Sequence, residues 1–159
     1  TASRAEKKVR DRLEELGVEC FLPVQTVLRQ WTYRKSRVVV PVIAGLVFVR
    51  VGRQEQVKVL QTKGVVAFLR LKGEAGAAVI PDKQMEDFRF LLDFSEEAVE
   101  MTNENIKAGD LVRVVKGSLR GMEGELIRHK GVTKVLVRID MLGCAMVNIP
   151  ASFVEKLNK

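Results

Sequence analysis

The amino-acid sequence predicts an α+β protein with an N-terminal antiparallel sheet flanked by helices, followed by a small SH3-like β-barrel. Through residue 94, apolar positions at helical spacing alternate with runs typical of strands, which favours helices covering an antiparallel sheet. After residue 108 only short strand-like runs and turns remain, and such strands lose their exposed edges by closing into a barrel. An acidic stretch without aromatic residues lies between the two patterns. We therefore predict domains at residues 1–94 and 108–159, joined by a linker at 95–107.

The first helix is predicted over residues 4–16. Ser3 followed three residues later by Glu6 matches a capping box, in which each side chain accepts a hydrogen bond from a free amide at the helix start. Apolar residues at helical spacing provide one face for burial, and Gly17 supplies the left-handed residue that ends the helix. Those apolar residues are Val9, Leu13 and Leu16.

The rest of the N-terminal domain is predicted from β-branched runs and turn signals. We expect a polar hairpin tip at residues 30–37, a weak helix at 54–61 and a strand at 65–71. Pro81 opens a helix through residue 93, and we assign its apolar stripe to the core. The stripe consists of Met85, Phe88, Leu91 and Leu92. The other predicted strands lie at residues 18–22, 24–29, 38–40 and 43–51.

The predicted barrel consists of short strands joined by turns. Val135, Val137 and Ile139 alternate with Leu136 and Arg138, so one face of this strand is expected to point inward. The strand-like runs lie at residues 111–115, 124–128, 135–139 and 145–149, and the turns at 116–121, 129–131 and 140–143.

The composition excludes several classes of protein. A chain of 159 residues is too short for a large multidomain enzyme, and 47% apolar with 30% charged residues indicates a folded core rather than disorder. The longest apolar run, residues 38–49, is interrupted by Pro41 and Gly45 and is shorter than the roughly 18 residues of a membrane helix. The net charge of +7 favours a nucleic-acid or ribonucleoprotein partner, although an ordinary basic surface explains it equally well.

The sequence contains no recognisable set of catalytic residues and no recognisable metal-binding motif. Cys20 and Cys144 are isolated thiols without a second cysteine or a histidine nearby, and His129 is the only histidine. Neither a glycine-rich phosphate-binding loop nor a nucleophile with a matching base is recognisable. The charged first ten residues are unlike a secretion signal. We therefore expect a reduced, cytoplasmic, monomeric binding protein rather than an enzyme, without metal, cofactor or membrane segment.

Two groups of residues carry a resemblance to a known family. Residues 109–117, continued by Gly121 and Gly124, resemble the KOW motif of ribosomal and transcription-elongation proteins. Upstream, five short stretches resemble the N-terminal domain of NusG proteins in the same order along the chain. By this resemblance the chain is identified as a NusG-family elongation or antitermination factor, with a KOW domain after the N-terminal domain. The five stretches are residues 3–9, 20–23, 30–31, 41–49 and 63–69.

The chain departs from the family pattern at its start. NusG proteins typically begin with an aromatic-containing strand before the first helix, and Thr1 corresponds to the end of that strand. We expect the missing strand to lie upstream of Thr1. Its true absence would leave the sheet with an exposed edge.

NusG-like proteins bind the clamp of RNA polymerase through an apolar patch of the N-terminal domain. The resemblance places this patch at Leu46, Phe48 and Leu71, and the first two are expected to share one face of a strand. The family commonly carries Tyr where Leu46 stands. Without the resemblance, packing of this face under a helix is the simpler interpretation. A second family contact, across the polymerase cleft, matches residues 55–58, but the hydroxyl-rich loop of one specialised subgroup is lacking.

Two groups of basic residues are candidates for nucleic-acid binding. The resemblance matches Lys8, Arg12 and Lys63 to the face that approaches the non-template DNA strand, although an ordinary solvated helix face has the same composition. The second group combines aromatic rings that stack on bases with cations that hold phosphates. The alternative for this group is a hairpin tip whose tryptophan folds back onto the sheet. Its members are Trp31, Tyr33, Arg34, Lys35 and Arg37.

KOW domains of the family recruit a ribosomal protein or a termination factor through one edge. The matching positions lie within residues 141–146, where Leu142 and Met146 are apolar anchors. Core packing explains these two residues equally well.

The resemblance implies a factor that binds RNA polymerase and suppresses pausing or termination. Residues 1–9 and the pair Gln30 and Trp31 resemble specialised paralogues of Bacteroidetes that antiterminate polysaccharide-biosynthesis operons. The alternatives are a housekeeping NusG and a KOW-containing RNA-binding or ribosome-associated protein. The last of these would not need the N-terminal half of the chain.

Overall fold

The computed structural model describes residues 1–157. The chain divides into two compact units, the first formed by residues 1–24 and 28–78, the second by residues 25–27 and the chain from Val79 onward. Helices and antiparallel strands occur in both units, which confirms the α+β class. Within the described residues, no helix combines the length and apolar character needed to cross a bilayer.

The first unit is built from two short helices and two separate pairs of strands. Strand β1 pairs antiparallel with β4, and β2 pairs with β3, so the expected sheet consists of two two-stranded ladders. The core lies against the inner face of the first helix, and its buried residues are Val9, Leu13, Val18 and Val59. The elements are α1 (Glu6–Glu15), β1 (Glu19–Phe21), β2 (Val24–Trp31), β3 (Arg34–Pro41), β4 (Phe48–Arg50) and α2 (Arg53–Leu60).

Helix α1 begins later than predicted, and the capping box is wrong. Ala5 occupies the N-cap, and no side chain forms a capping hydrogen bond. The Glu6 carboxylate instead accepts a hydrogen bond from the Gly45 backbone N–H at 2.9 Å, so it is not available to the start of the helix. At the other end Gly17 has a φ of +75°, which confirms the left-handed stop.

Three predicted strand boundaries also differ. Residues 65–71 form no strand, because a strand exists only with a paired neighbour and no described strand pairs with this segment. The run at 43–51 is a strand only over β4, since Gly45 lies in a turn with a φ of +75°. At the hairpin, β2 and β3 extend into the predicted tip and leave Thr32 and Tyr33 as the turn.

Up to residue 157, the second unit contains one α-helix, one short 3-10 helix and a six-stranded antiparallel sheet. The strand order is β10-β6-β7-β8-β9-β5, and the four predicted strands and three turns of this part are confirmed. Phe88 and Leu91, from the predicted helical stripe, are fully buried. The elements are α3 (Asp82–Phe94), β5 (Glu100–Thr102), β6 (Asp110–Val114), β7 (Glu123–His129), β8 (Val132–Ile139), β9 (Gly143–Asn148), a 3-10 helix (Ala151–Phe153) and β10 (Val154–Lys156).

Helix α3 belongs to the same compact unit as the sheet and packs against β8. The Gln84 side chain donates to the Asp140 carboxylate at 3.0 Å and accepts from the Asp140 backbone N–H at 2.8 Å. The segment predicted as a linker contains strand β5, which pairs with β9. The predicted domain bounds, with breaks after residues 94 and 107, differ from this division and stay predictions.

Replacing Leu13 by alanine is expected to destabilise the first unit, because the Leu13 side chain is 1% exposed and lies in its core. Buried Leu→Ala changes typically cost about 2–5 kcal/mol of unfolding free energy. Urea unfolding followed by circular dichroism measures the loss. The matched control is Leu16→Ala, just beyond the same helix, where the side chain is 42% exposed and a change within about 0.5 kcal/mol is expected. Equal losses at both positions would contradict the assigned core.

Candidate interaction surfaces

Strand alternation around β4 leaves one apolar face outside the core of the first unit. Val47, Val49 and Val51 pack against the buried cluster, so Phe48 points to the opposite face. There it lies directly across from Phe21 of β1, with ring centroids 6.2 Å apart and an interplanar angle of 29°. Leu46 precedes the strand, and like both phenylalanines it is only partly buried. We call Phe21, Leu46 and Phe48 the apolar patch.

Glu6 fixes the loop that carries Leu46. Its carboxylate is buried, with the residue 8% exposed, and accepts the hydrogen bond from the Gly45 N–H. Gly45 has a φ of +75°, a conformation that costs a glycine little and other residues more. The position of Leu46 therefore depends on a buried acceptor at the start of α1.

The third residue predicted for the polymerase contact lies in a different kind of structure. Leu71 belongs to the segment that forms no strand, and its side chain is 47% exposed. Val66 and Leu69 of the same segment are 71% and 48% exposed. Of the three predicted site residues, Leu71 is exposed and Leu46 and Phe48 are partly buried, and their role in binding polymerase stays a prediction.

The structure brings together the three basic residues predicted to approach DNA. Lys8 and Arg12 lie one turn apart on α1, and the Arg12 guanidinium donates to the Lys63 backbone carbonyl at 2.7 Å. Gly64 permits this approach, because a Cβ there would lie 2.8 Å from the Val9 side chain. Lys8 and Lys63 have exposed side chains. The result is a cationic surface formed by one helix face and the loop after α2.

The hairpin of β2 and β3 is basic on both faces. Arg34 and Lys35 are adjacent in β3 and exposed, so their side chains point to opposite faces of the ribbon. Tyr33 in the turn is 98% exposed. No acidic residue occurs between Glu19 and Glu55 in the sequence. Trp31 ends β2, and its side chain lies outside the described part of the structure.

The two anchors predicted in the second unit have different environments. Met146 is 0% exposed and belongs to the core cluster with Ile127 and Leu136, so it is a core residue. Leu142 is half-buried. Its neighbour Met141 has a φ of +70° and is 38% exposed. The turn predicted at residues 140–143 was the signal that could have identified Met141 as an exposed apolar residue. The accessible apolar groups at this end of the sheet are therefore in the turn rather than in β9.

The isolated histidine and cysteines are held in structural contacts. His129 Nε2 lies 3.0 Å from a Glu104 carboxylate oxygen, which keeps the pKa of Glu104 below its usual range. Burial raises the pKa of both the Cys20 and the Cys144 thiols, so both stay protonated and weakly nucleophilic near neutral pH. Within residues 1–157, no group of three or more potential metal ligands is present.

The fold and these surfaces define a two-unit α+β protein with a partly exposed apolar patch, a basic helix face and a basic ribbon, whereas the predicted site residue Met146 is buried. The family model described as transcription termination factor nusG matches residues 1–89, more than half of the chain. The chain therefore belongs to the NusG family of transcription factors, as its motifs indicated. Residues 108–159, predicted as a KOW domain, lie beyond this match.

Comparison with solved structures adds a similarity of fold. Thermotoga maritima NusG is 22% identical over 99% of this chain and 94% of that chain, with a TM-score of 0.50, so the similarity extends through both units as a similarity of fold. A chain of the MjSpt4:Spt5 complex is 18% identical over 100% of this chain and 94% of that chain, with a TM-score of 0.24. Comparison with curated proteins gives no match.

Replacing Glu6 by alanine is expected to release the loop around Gly45, because the Gly45 N–H loses its acceptor. An unsatisfied buried donor costs about 1–3 kcal/mol. Amide hydrogen exchange at Gly45 should accelerate, and urea unfolding should show the loss of stability. Glu6→Gln keeps an acceptor oxygen and should retain most of the protection, and Glu14→Ala on the exposed side of α1 should have little effect. Unchanged exchange at Gly45 in Glu6→Ala would exclude the positioning role.

Proposed function

We propose that this chain is a transcription elongation factor that binds the RNA polymerase clamp through the apolar patch and suppresses pausing or termination. The observation that carries the proposal is an apolar strand face that the helices of the first unit leave accessible. Membership of the NusG family supports it. The function requires binding only, and we propose no chemical step by the factor.

The apolar patch is suited to docking because it is already ordered. Phe48 and Phe21 are stacked across the β1–β4 ladder, so few side-chain rotamers have to be fixed on binding. Burying one apolar side chain of this size contributes about 1.5–3 kcal/mol before association costs. We include Leu71 in the contact as a further exposed leucine of the same unit.

The proposed mechanism is differential binding to two states of the polymerase. A factor that binds the elongating enzyme more tightly than the paused enzyme shifts the population toward elongation by the difference in binding free energy. About 1.4 kcal/mol changes the ratio of the two states tenfold. A contact the size of the apolar patch is large enough to supply such a difference.

Nucleic-acid contacts are proposed for the two basic surfaces. Lys8, Arg12 and Lys63 form a continuous cationic surface through the Arg12–Lys63 hydrogen bond, and we propose that it faces the non-template DNA strand. The exposed Arg34 and Lys35 extend the ribbon as a second phosphate contact. Cationic side chains near DNA act chiefly through phosphate neutralisation, which salt weakens.

The second unit is proposed to act as a KOW domain that recruits a ribosomal protein or a termination factor. Leu142 keeps an accessible side chain for such a contact, whereas Met146 stays in the core. Within the family we propose a cytoplasmic, operon-specific antitermination factor, with a housekeeping NusG as the alternative. The family match over residues 1–89 supports a polymerase factor over a KOW-containing RNA-binding protein, which would not need this half.

Replacing both Leu46 and Phe48 by alanine is expected to weaken binding to RNA polymerase by tenfold or more, because the centre of the apolar patch is removed. Co-purification with polymerase and titration by fluorescence anisotropy measure the loss. Leu60→Ala is the matched control, since Leu60 is 45% exposed on α2 and lies outside the patch. Circular dichroism checks that all variants remain folded. Undiminished binding by the folded double variant would refute the docking surface.

The same variants test the effect on transcription. Run-off transcription on a pause-containing template should show shorter pauses with the native chain than without it. With Leu46→Ala plus Phe48→Ala, the pauses should be as long as those without any factor. Adding the leader of a polysaccharide-biosynthesis operon to the template tests operon specificity. A native chain that binds polymerase and leaves pausing and termination unchanged would contradict the proposed effect on elongation.

Replacing Arg34 and Lys35 by alanine is expected to reduce the salt dependence of binding to a single-stranded oligonucleotide. The slope of log affinity against log salt should fall in magnitude by about 0.7 for each phosphate contact removed. The control Arg70→Ala plus Lys72→Ala removes the same charge from exposed positions outside the hairpin. Equal slopes for the two double variants would show that the ribbon makes no specific phosphate contact.

A further inference from the structure

Residues 99–109 lie along the sheet of the second unit, and we call them the strap. Its strand β5 pairs antiparallel with β9, with Glu100 opposite Met146 and Thr102 opposite Cys144. At its start Val99 is 5% exposed, and the Gln25 side chain hydrogen-bonds to both its backbone N–H and its carbonyl, at 3.0 and 3.2 Å. A segment that composition marks as a linker is therefore an edge strand of the sheet.

The two carboxylates of the strap each contact a nitrogen-bearing side chain of the sheet. Glu100 forms an ion pair with Lys134, whose side chain is only 10% exposed, and Glu104 pairs with His129, whose side chain is 13% exposed. These contacts hold the pKa of both glutamates below the usual range. The carboxylates themselves are 46% and 61% exposed, so the buried side of each pair belongs to the sheet.

The rest of the strap contacts the sheet through backbone carbonyls and the Ile106 side chain. The Ile106 carbonyl accepts a hydrogen bond from the Arg138 guanidinium at 2.7 Å, and the Ile106 side chain packs against the buried cluster that includes Leu136. Gly143 has a φ of +94°, and a Cβ there would lie 2.0 Å from the Thr102 carbonyl oxygen. The edge of β9 is thus shaped to receive a closely approaching extended chain.

The strap has fewer buried side chains than the strands beside it. β5 is three residues long, and its Met101 and Thr102 are only partly buried, whereas Val135 and Leu136 of β8 are at most 1% exposed. Segments with few buried contacts open locally at a lower free energy than core strands. Opening the strap would expose the unpaired edge of β9 and leave Lys134 and His129 without their carboxylates.

We propose that the edge of β9 is a binding site for an extended acidic segment of a partner protein, and that the strap occupies this site until the partner displaces it. The partner would add a strand to β9 and place carboxylates on Lys134 and His129, as Glu100 and Glu104 do. The proposal rests on the part of the proposed function in which the second unit recruits a partner near Leu142. It is independent of polymerase binding by the apolar patch.

The test uses the full chain and a fluorescein-labelled peptide with the sequence of residues 98–107. The double variant Glu100→Lys plus Glu104→Lys removes both carboxylates and places an ammonium group against that of Lys134, so it weakens the strap while the residues of β6 to β10 stay unchanged. Fluorescence anisotropy should show the peptide binding this variant at least tenfold more tightly than the native chain. The control Glu96→Lys plus Glu97→Lys makes the same charge change just before the strap and should behave as the native chain.

Three outcomes would overturn the proposal. They are equal peptide affinity for the native chain and the strap variant, no binding to either, and equal binding when both glutamates of the peptide are replaced by lysine.

Amide hydrogen exchange of the native chain gives a measurement that depends on no variant. Met101 and Thr102 should exchange at least tenfold faster than Val135 and Leu136, and equal protection would also overturn the proposal. Loss of polymerase binding in Leu46→Ala plus Phe48→Ala is unaffected by any of these results.

Discussion

The alternation of side chains around β4 is the constraint on which the surface of the first unit depends. Because Val47, Val49 and Val51 all face the buried cluster, Phe48 is forced to the opposite side. A shift of register by one residue would bury Phe48 and expose three valines, at a large cost in buried apolar area. The same packing that stabilises the unit therefore keeps an aromatic side chain at its surface, where Phe21 supports it.

In the second unit, cationic side chains lie within a closely packed sheet. Arg138 meets Glu125 at 2.7 Å, and Lys134 meets Glu100, so both cations have carboxylate partners. One of these carboxylates comes from the inner strand β7 and the other from the short edge strand β5 of the strap. A buried cation whose partner belongs to a peripheral segment makes the stability of the sheet sensitive to that segment.

The sequence was most informative where one local pattern decides the structure. Val9 and Leu13 at helical spacing and Phe88 and Leu91 in α3 are buried as their periodicity indicated, whereas Leu16 of the same predicted face follows the last residue of α1 and is 42% exposed. Turn residues in the second unit also placed β6 to β9 correctly, whereas the short edge strands β5 and β10 were not predicted. The membership of the NusG family followed from motifs spread along the chain rather than from any one of them.

The failures concern features decided by distant partners. The pattern at residues 65–71 is typical of a strand, but no neighbouring strand pairs with it. Glu6 has the spacing of a capping residue, yet the Gly45 N–H engages its carboxylate from a loop 39 positions away. Met146 has the composition of a surface anchor or a core residue, and only the packing of β8 against β9 distinguishes them. The segment predicted as a linker, residues 95–107, carries glutamates whose partners Lys134 and His129 lie in later strands, so these contacts could not be inferred from its own composition, and the linker bounds stay a prediction.

The β2–β3 hairpin is a ladder of only two strands among the described residues, so the outer edge of each strand lacks a paired neighbour. Such edges are templates on which copies of one protein stack into aggregates. The cations of this segment, uninterrupted by any acid from residue 20 to residue 54, repel an approaching second copy. At physiological ionic strength this repulsion acts over about 8 Å, and concentrated salt shortens its range. The same arginines and the one lysine that suit the hairpin for phosphates thus also oppose self-assembly of the chain.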